Sequence, residues 1–193
     1  RKYCDKIERD NNGLVSNIFA AATNIGEVGT SGIDVQADYY LSAGDLGSFN
    51  FSLDYTAVDE YEIRTPTAAG TLSITDCVGV YDCGTLIENR WIATASWNRD
   101  KFNARLRVNF YDEFTECEGD FCGGDEIRRT IDSVAYVTLG LGYDLGQGTR
   151  FNLNVYNLTD ENPPRIYNGF YSAADVADDF LGQYYTLGIS PKF

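Results

Sequence analysis

Residues 102–111 read FNARLRVNFY, and apolar and polar side chains alternate through this stretch. Successive side chains of an extended strand point to opposite faces, so a period of two places all the apolar residues on one side. The apolar set is Phe102, Ala104, Leu106, Val108 and Phe110. The stretch therefore predicts a strand with one apolar and one polar face. Two of its polar residues, Arg105 and Arg107, carry positive charge.

The same period recurs in six other segments, whose apolar positions start at Ile33, Phe49, Trp91, Ala135, Phe151 and Tyr185. Most of these segments reach the ~9–11 residues of a tilted strand that crosses a bilayer. Strands of soluble sandwiches usually have only ~5–6 residues. Aromatic residues cluster towards the strand ends, as in the interfacial girdles of membrane barrels. Strand length and aromatic placement both favour a transmembrane sheet.

The connections between these segments alternate between short and long. Residues 42–48, 98–101 and 144–149 are short turns, whereas the long connections cover roughly 62–88, 112–132 and 159–182. An up-and-down meander in which every second loop is long is typical of an outer-membrane barrel with extracellular long loops. A Greek-key sandwich has no reason to keep that order. Of the 29 acidic residues, 19 fall in or beside the long loops, which places most of the negative charge at one end.

Charge and composition exclude several classes of function. The 193 residues carry a net charge of −14 and include no histidine. Nucleic acid is excluded as a partner, because phosphate binding needs a basic surface. Zinc hydrolases and Ser-His-Asp hydrolases lose their usual residues, so we expect no enzyme, no cofactor and no metal site. No segment has the ~18 consecutive apolar residues that a membrane-spanning helix needs.

Five cysteines occur at positions 4, 77, 83, 117 and 122. The spacing predicts two local disulfides, Cys77 with Cys83 and Cys117 with Cys122, which leaves Cys4 over. The alternative is a metal site, but the flanking residues offer carboxylates in place of histidines. Residues 116–126 are strongly acidic, and their spacing matches no EF-hand, so a solvated and disulfide-pinned loop is favoured over a calcium site.

Seven full strands and a stub at residues 3–8 make an uneven number. Barrels of bacterial outer membranes have an even number of strands, and an open apolar edge in lipid leaves backbone groups unsatisfied. The chain also lacks methionine and a recognisable leader. We therefore expect residues 1–193 to form a C-terminal segment of one larger barrel domain. Residues 14–41 are expected to form one very long strand with an irregular patch at 24–32.

Three sequence features resemble TonB-dependent outer-membrane receptors. They are residues 157–164 (NLTDENPP) after a strand, the terminal segment 181–193 (LGQYYTLGISPKF), and Asn24-Ile25-Gly26 followed by residues 30–34 (TSGID). The resemblance implies a 22-stranded antiparallel transmembrane β-barrel with a plugged lumen, of which this chain supplies the last seven or so strands. It further implies an N-terminal plug and a TonB box, which these residues do not contain.

The resemblance implies uptake of a scarce nutrient, an oligosaccharide, peptide or metal chelate, across the outer membrane of a Gram-negative bacterium. The partners it implies are outer-membrane lipid, the TonB complex through the missing N-terminal region, and the barrel assembly machinery. The assembly signal would be Tyr185, Leu187, Gly188, Ile189 and Phe193. The alternatives are a small structural or adhesive outer-membrane barrel and a secreted, soluble β-sandwich that binds a ligand.

Aromatic residues in or next to the long loops are the candidate ligand-binding residues. They are Tyr61, Tyr81, Phe114, Phe121, Tyr167, Phe170 and Tyr171. Exposed rings suit stacking on a small-molecule or glycan substrate. The same rings can instead pin the loops to one another. Arg105 and Arg107 can line a substrate path, although neutralisation by acidic residues on neighbouring strands is the favoured interpretation.

Overall fold

The computed structural model describes residues 4–19, 26–67, 71–81, 83, 86–117, 129–166 and 181–191. The chain is all-β and its strand pairs are antiparallel, which confirms the predicted class. Two single-turn 3-10 helices cover Cys4–Lys6 and Gly44–Leu46. The strands are β1 (Ile7–Arg9), β2 (Val15–Ile18), β3 (Glu27–Ser42), β4 (Ser48–Pro66), β5 (Leu72–Asp76), β6 (Asn89–Arg99), β7 (Phe102–Tyr111), β8 (Phe114–Thr115), β9 (Thr130–Ile131), β10 (Val134–Gly146), β11 (Thr149–Tyr156) and β12 (Tyr184–Ser190).

Seven strands follow one another across the main sheet in the order β3, β4, β6, β7, β10, β11 and β12. Each is antiparallel to its neighbour, and β5 adds to the upper part of β4. Short turns join β3 to β4, β6 to β7 and β10 to β11 at one end. Asp100 and Gln147 adopt positive φ values of 48° and 53° in two of these turns, which tight hairpins require. The sheet is open, since β3 and β12 do not pair with each other in the described part of the chain.

The strand register brings the apolar residues of all seven strands onto one face, called here the apolar face. Directly paired residues of antiparallel strands point to the same side of a sheet. One row across the sheet contains Phe51, Ala95, Leu106, Leu139, Val155 and Tyr185. The next row contains Leu41, Phe49, Trp97, Ala104, Leu141, Leu153 and Leu187. The period of two read from the sequence is therefore continuous across the sheet.

The apolar face remains exposed within the described part of the chain. Ile33 is 65% exposed and Leu187 is 70% exposed, and Leu106 near the centre of the sheet is still 40% exposed. The hydrophobic clusters lie elsewhere, at the end of the sheet that carries the long loops. The opposite side, called here the polar face, is mainly Asn, Ser, Thr, Asp and Arg, with apolar residues near the loop end.

Two features of the main sheet differ from the sequence-based expectation. Residues 14–41 do not form one strand, because β1 and β2 pair as a separate hairpin and β3 begins only at Glu27. The patch expected to be irregular is regular strand from Glu27 onwards, with one bulge between Ser31 and Gly32. Residues 24 and 25 lie outside the described residues. The bulge places Asp59 as the extra residue of β4, a count that periodicity alone does not reveal.

The first long loop also begins later than expected. Strand β4 continues to Pro66 and pairs with β5, so that the first part of the predicted loop is a strand hairpin. Apolar and polar residues alternate here as well, Tyr61 and Ile63 with Glu60 and Glu62, so the period of two is present where the loop was expected to begin. No helix in the described ranges is long and apolar enough to cross a membrane.

Candidate functional site

The three long connections meet at one end of the main sheet, called here the loop end. The first loop joins β5 to β6, the second joins β7 to β10 through β8 and β9, and the third joins β11 to β12. In an antiparallel meander alternate connections lie at the same end of the sheet. This geometry places the described acidic residues in and next to the three connections, among them Asp76, Glu88, Asp112, Glu116 and Asp132, at the same end.

The backbones of the first and second loops are hydrogen-bonded to each other. The Thr115 N–H donates to the Gly79 carbonyl at 2.7 Å, and the Tyr81 N–H donates to the Thr115 carbonyl at 2.9 Å. Val80 and Thr115 thereby form a parallel bridge between the two loops. Gly79 has a φ of +67°, a conformation that glycine adopts without strain.

Disulfides hold these two loops. Cys77 and Cys83 are bonded, with Cα atoms 5.3 Å apart, which confirms the predicted pair. Cys117 is fully buried and is also disulfide-bonded, whereas Cys122 lies outside the described residues. Cys4 is free and exposed. Cys77 and Cys117 contribute their sulfur atoms to the interior of the loop end, where neither is accessible to solvent.

A small hydrophobic core joins all three loops. Ile87 from the first loop, Phe114 and Ile131 from the second, and Ile166 from the third are buried against one another. The Tyr81 and Phe114 rings lie 6.1 Å apart, and Tyr81 also packs on this cluster. Residues far apart in the sequence supply this core, so no local pattern predicts it.

A buried carboxylate of the second loop is paired with an arginine of the same loop that also contacts the third loop. The Glu116 side chain is 1% exposed and accepts hydrogen bonds from Arg129, Nε at 3.2 Å and Nη2 at 3.3 Å. Arg129 Nη2 also donates to the carbonyl oxygen of Arg165. A buried carboxylate is tolerated where a cation and hydrogen bonds compensate its lost hydration. The contact of Arg129 with Arg165 therefore fixes the relative position of the second and third loops.

The residues that resemble the receptor family at 157–164 form a closed turn. Asn157 is 1% exposed, and its Nδ2 donates to the Glu161 carbonyl at 2.8 Å while its Oδ1 accepts the Glu161 N–H at 2.9 Å. Asp160 Oδ1 accepts the Gln183 N–H at 3.0 Å, and Gln183 Nε2 donates to the Leu158 carbonyl at 2.8 Å. The motif therefore binds the start of β12 to the end of β11.

A carboxylate cluster surrounds Arg64 near the tip of the β4–β5 hairpin, where β4 also pairs with the first residues of β3. Arg64 Nη2 lies 2.7 Å from Glu62 Oε2 and 3.9 Å from Glu60 Oε1, and its Nη1 lies 3.8 Å from Glu27 Oε2. The hydrogen bonds that Arg64 donates to Glu62, followed by the negative charge of that carboxylate, raise the pKa of Arg64 above its usual value. Arginine is thus held as a cation in an acidic surrounding.

An open cleft of about 600 Å³ lies beside this cluster, where β4 changes its neighbour from β6 to β5. Asp59, Asp76 and Glu88 contribute to its lining. Among the residues that the structure describes, no group of three or more His, Cys, Asp or Glu side chains is placed to hold a metal ion. Most of the acidic 116–126 segment lies outside those residues.

The structure describes three of the seven candidate aromatic residues. Tyr61 is a half-buried residue of β4 that pairs with Thr30, so it belongs to the hairpin. Phe114 is only 5% exposed and Tyr81 is half-buried on the same cluster, so these two rings pin loops together, the second of the two roles that the sequence left open. The other four lie outside the described residues: Phe121, Tyr167, Phe170 and Tyr171.

The two arginines of β7 lie on the polar face. Arg107 Nε donates to Asn109 Oδ1 at 3.0 Å, whereas no ion pair of the described residues involves Arg105 or Arg107. The expected neutralisation by acidic residues of neighbouring strands is therefore not found in this part of the chain. Their cross-strand neighbours Ser96, Thr94, Gly140 and Thr138 are uncharged.

The residues of the expected assembly signal lie on β12. Tyr185, Leu187 and Ile189 are exposed on the apolar face, and Gly188 pairs with Asn152 on the polar face. Phe193 lies outside the described residues. Strand β12 ends at Ser190, so that Pro191, which has no N–H to donate, follows the last ladder position.

The chain was also compared with known proteins. No family model, no curated protein and no solved structure matches it.

Proposed function

We propose that this chain forms part of the wall of a transmembrane β-barrel in the bacterial outer membrane, and that the barrel is a TonB-dependent receptor. The single observation that carries the membrane part of the proposal is the exposed apolar face. Seven consecutive strands present it in register, and the hydrophobic clusters of the described residues lie at the loop end instead.

The energetic argument compares lipid with water as the neighbour of this face. An exposed Val, Leu, Ile or Phe side chain forgoes about 1.5–3 kcal/mol that its burial would provide. A soluble sandwich recovers this free energy by packing a second sheet about 10 Å away. Beside the main sheet the described residues form only two-stranded sheets, β1–β2 and β8–β9, which are too small for that purpose. Lipid chains supply the missing apolar contact.

The dimensions of the apolar face fit a bilayer. Phe102 and Phe110, eight residues apart on β7, are separated by about 26 Å along the strand. A tilt of ~40° reduces this to about 20 Å across the membrane, close to the ~25 Å apolar band of outer-membrane barrels. Aromatic pairs lie near both margins of the face, Trp91 with Phe110 at 5.0 Å and Phe102 with Tyr143 at 4.7 Å between ring centroids.

The loop end supports a receptor role. Its three loops are held together by a shared hydrophobic core, by backbone hydrogen bonds between the first and second loops, and by the contact of Arg129 with the carbonyl oxygen of Arg165. A binding surface on them is therefore largely formed before the ligand arrives. Preorganisation of this kind reduces the entropy lost on binding. The nutrient is an oligosaccharide, a peptide or a metal chelate. The loops capture it, and an energised movement of the plug then releases it to the inside.

The proposed partners follow from the same architecture. Outer-membrane lipid covers the apolar face, the barrel assembly machinery recognises β12, and the TonB complex acts through an N-terminal region that these residues do not include. The turn formed by Asn157, Asp160 and Gln183 supports the assignment to the receptor family, because it gives the resembling motif a defined structural task. The chain has no proposed catalytic step.

Fluorescence quenching tests the membrane proposal. Trp91 and Trp97 are the two tryptophans of the chain, and both lie on the apolar face. When the intact protein is reconstituted in vesicles of brominated phosphatidylcholine, we expect the fluorescence of both to be quenched. Acrylamide dissolved in the water should quench them weakly. A protein that stays monomeric without detergent and shows no bromine quenching contradicts the proposal and favours a secreted sandwich.

A second measurement separates a receptor from a small structural or adhesive barrel. We expect uptake or binding of the nutrient to depend on an intact TonB complex in cells that produce the whole protein. A barrel that closes from this chain alone in detergent, with no further strands, supports the structural alternative. The strand count of the intact barrel distinguishes the two.

A further inference from the structure

A second cleft, of about 230 Å³, lies on the polar face where β6, β7, β10 and β11 adjoin. Its lining is almost entirely polar and contains one charged side chain, that of Arg105. Four asparagines complete most of its wall: Asn98, Asn103, Asn152 and Asn154. The side chains of this cleft are one cation and several neutral amides, whereas the charged side chains of the loop end are mainly acidic.

Gly140 lines this cleft, and Gly142 lies next to it beneath the side chain of Asn103. Gly140 and Gly142 occupy polar-face positions within β10, where glycine weakens a strand and often marks the close approach of another group. A Cβ atom at Gly140 would lie 3.0 Å from Asn154 Oδ1, and one at Gly142 would overlap the side-chain amide of Asn103. The glycines therefore allow the asparagine side chains to lie across the strand.

Arg105 has no counter-ion built into the surrounding strands. Its direct neighbours in the sheet are Ser96 and Gly140, and no ion pair of the described residues involves it. The chain carries a net charge of −14, so acidic residues are abundant but placed elsewhere. An uncompensated guanidinium in a polar wall attracts an anion, and its planar fork matches a carboxylate.

The acidic loop end does not cancel this attraction. Arg105 lies six residues from Tyr111, the last residue of β7, which corresponds to about 20 Å along the strand. Charges in water at physiological ionic strength are screened over about 8 Å. The cleft thus presents its own local potential to a ligand on the polar face.

We propose that this cleft binds the carboxylate of a hydroxyl-rich ligand, that is, an acidic sugar. Arg105 holds the carboxylate through paired N–H donors. The asparagine amides, each with donor and acceptor atoms, hydrogen-bond the hydroxyl groups. The inference rests on the proposed function, since it places the cleft on the inner wall of a receptor, and it narrows the substrate class to an anionic saccharide.

Calorimetric titration of the intact protein in detergent micelles tests this assignment, with glucuronate as the probe. Glucose, acetate and glucose 6-phosphate are the comparison ligands. We expect glucuronate to bind at least about tenfold more tightly than each of them, because only glucuronate supplies both a carboxylate and hydroxyl groups. Equal affinity for glucose and glucuronate, or tighter binding of glucose 6-phosphate, overturns the proposal.

Two pairs of variants locate the binding. Arg105→Gln should weaken glucuronate binding about tenfold, as expected for the loss of a charge-assisted hydrogen bond. Arg150→Gln, on the same face but outside the cleft lining, should leave it unchanged. Gly140→Ala should weaken binding by crowding Asn154, whereas Gly29→Ala, in β3 and outside the cleft, meets its nearest atom at 3.8 Å and serves as its control. Equal effects within either pair overturn the assignment.

The outcome is independent of the membrane test. A protein whose tryptophans are quenched by brominated lipid but that binds glucuronate no better than glucose retains the proposed function and loses this subsite. Folding of each variant is checked by the fluorescence of Trp91 and Trp97 in the same micelles. If Arg105→Gln is misfolded, Arg105→Lys takes its place. Lysine keeps the charge and loses the planar fork, so we expect an intermediate affinity.

Discussion

Arg129 and Glu116 form the contact on which the loop end depends, because the guanidinium that neutralises this buried carboxylate also donates to the backbone of the third loop at Arg165. One side chain therefore links two segments that are separated by more than 30 residues of sequence. The Glu116 carboxylate is 1% exposed, so water cannot replace Arg129 if that residue is removed.

Replacement of Arg129 by methionine should destabilise the loop end by about 3–5 kcal/mol, since it leaves a buried charge without its partner. Amide hydrogen exchange at Thr115 and Ile131 measures this loss directly. Arg165→Ala is the matched control, because the contact uses the carbonyl oxygen of Arg165, which the substitution retains. Similar exchange rates in both variants would show that the ion pair does not hold the loops.

A lysine on the apolar face should be far more costly than one on the polar face. Leu106→Lys places a charge near the middle of the proposed membrane span, where it costs about 2–4 kcal/mol. Asn50→Lys, at a similar depth on the polar face, should cost little. Urea unfolding in lipid vesicles gives both values. If water covered both faces of the sheet, Leu106→Lys and Asn50→Lys would lower the free energy of unfolding by the same amount.

Loss of the disulfide between Cys77 and Cys83 should loosen the first loop while leaving the sheet intact. The bond closes a short ring, for which the chain-entropy estimate is about 2 kcal/mol. The Cys83→Ser variant should be cleaved faster by a protease in the first loop and should keep its tryptophan fluorescence. Cys4→Ser, which removes the free and exposed cysteine, should match the wild type in both measurements.

The turn at Asn157 should be sensitive to both the side chain and the backbone of that residue. Asn157 has a φ of 49°, in the left-handed region that disfavours alanine. Asn157→Ala removes two hydrogen bonds and adds this backbone strain, so we expect a loss of about 2–3 kcal/mol. Asn157→Gly loses the hydrogen bonds alone and should cost about 1 kcal/mol less. Thermal unfolding of both variants against the wild type checks the order.

The Arg64 cluster should be insensitive to pH between about 6 and 10. Hydrogen bonding to Glu62 raises the pKa of Arg64, and a raised pKa of a base means that its stabilising contact is complete at every pH below the pKa of the unfolded state. The contact is lost only as the pH rises through the folded-state pKa. Guanidinium NMR signals of Arg64 should therefore remain constant in this range. In Glu62→Gln the pKa of Arg64 should fall back towards its ordinary value, and an Arg64 signal that titrates near neutral pH in the wild type would contradict this account.

The period of two predicted the strands of the main sheet because each of them has one apolar and one polar face. Residues 102–111 form β7 with the expected faces, and residues 135–143 lie within β10. The strand stub expected at residues 3–8 and the strand expected from residue 14 correspond to β1 and β2, but the separation of β2 from β3 was not predicted. The β4–β5 hairpin was expected to be a loop, although Leu72 and Ile74 alternate with Ser73 and Thr75 in β5.

Sequence reasoning placed the three long connections at one end of the sheet and paired Cys77 with Cys83, but it did not predict the core that joins the loops. Ile87, Phe114, Ile131 and Ile166 meet through three different loops, and no periodicity connects them. The cleft around Arg105 left a faint signal, glycines two residues apart at 140 and 142 on the polar side of a strand. The reason for these glycines is visible only in the structure, because the side chains that they accommodate, Asn103 and Asn154, come from the neighbouring strands.

Strand β4 runs without interruption from Ser48 to Pro66, while its neighbour on one side changes from β6 to β5 between Ala57 and Glu62. On its other side it pairs with β3 over 16 positions. A pulling force on the tip of the β4–β5 hairpin acts along the axis of β4. It therefore loads the hydrogen bonds between β3 and β4 together in shear, instead of opening them one after another. The β4–β5 hairpin is consequently mechanically stiff, because its first strand continues into the sheet that carries the apolar face.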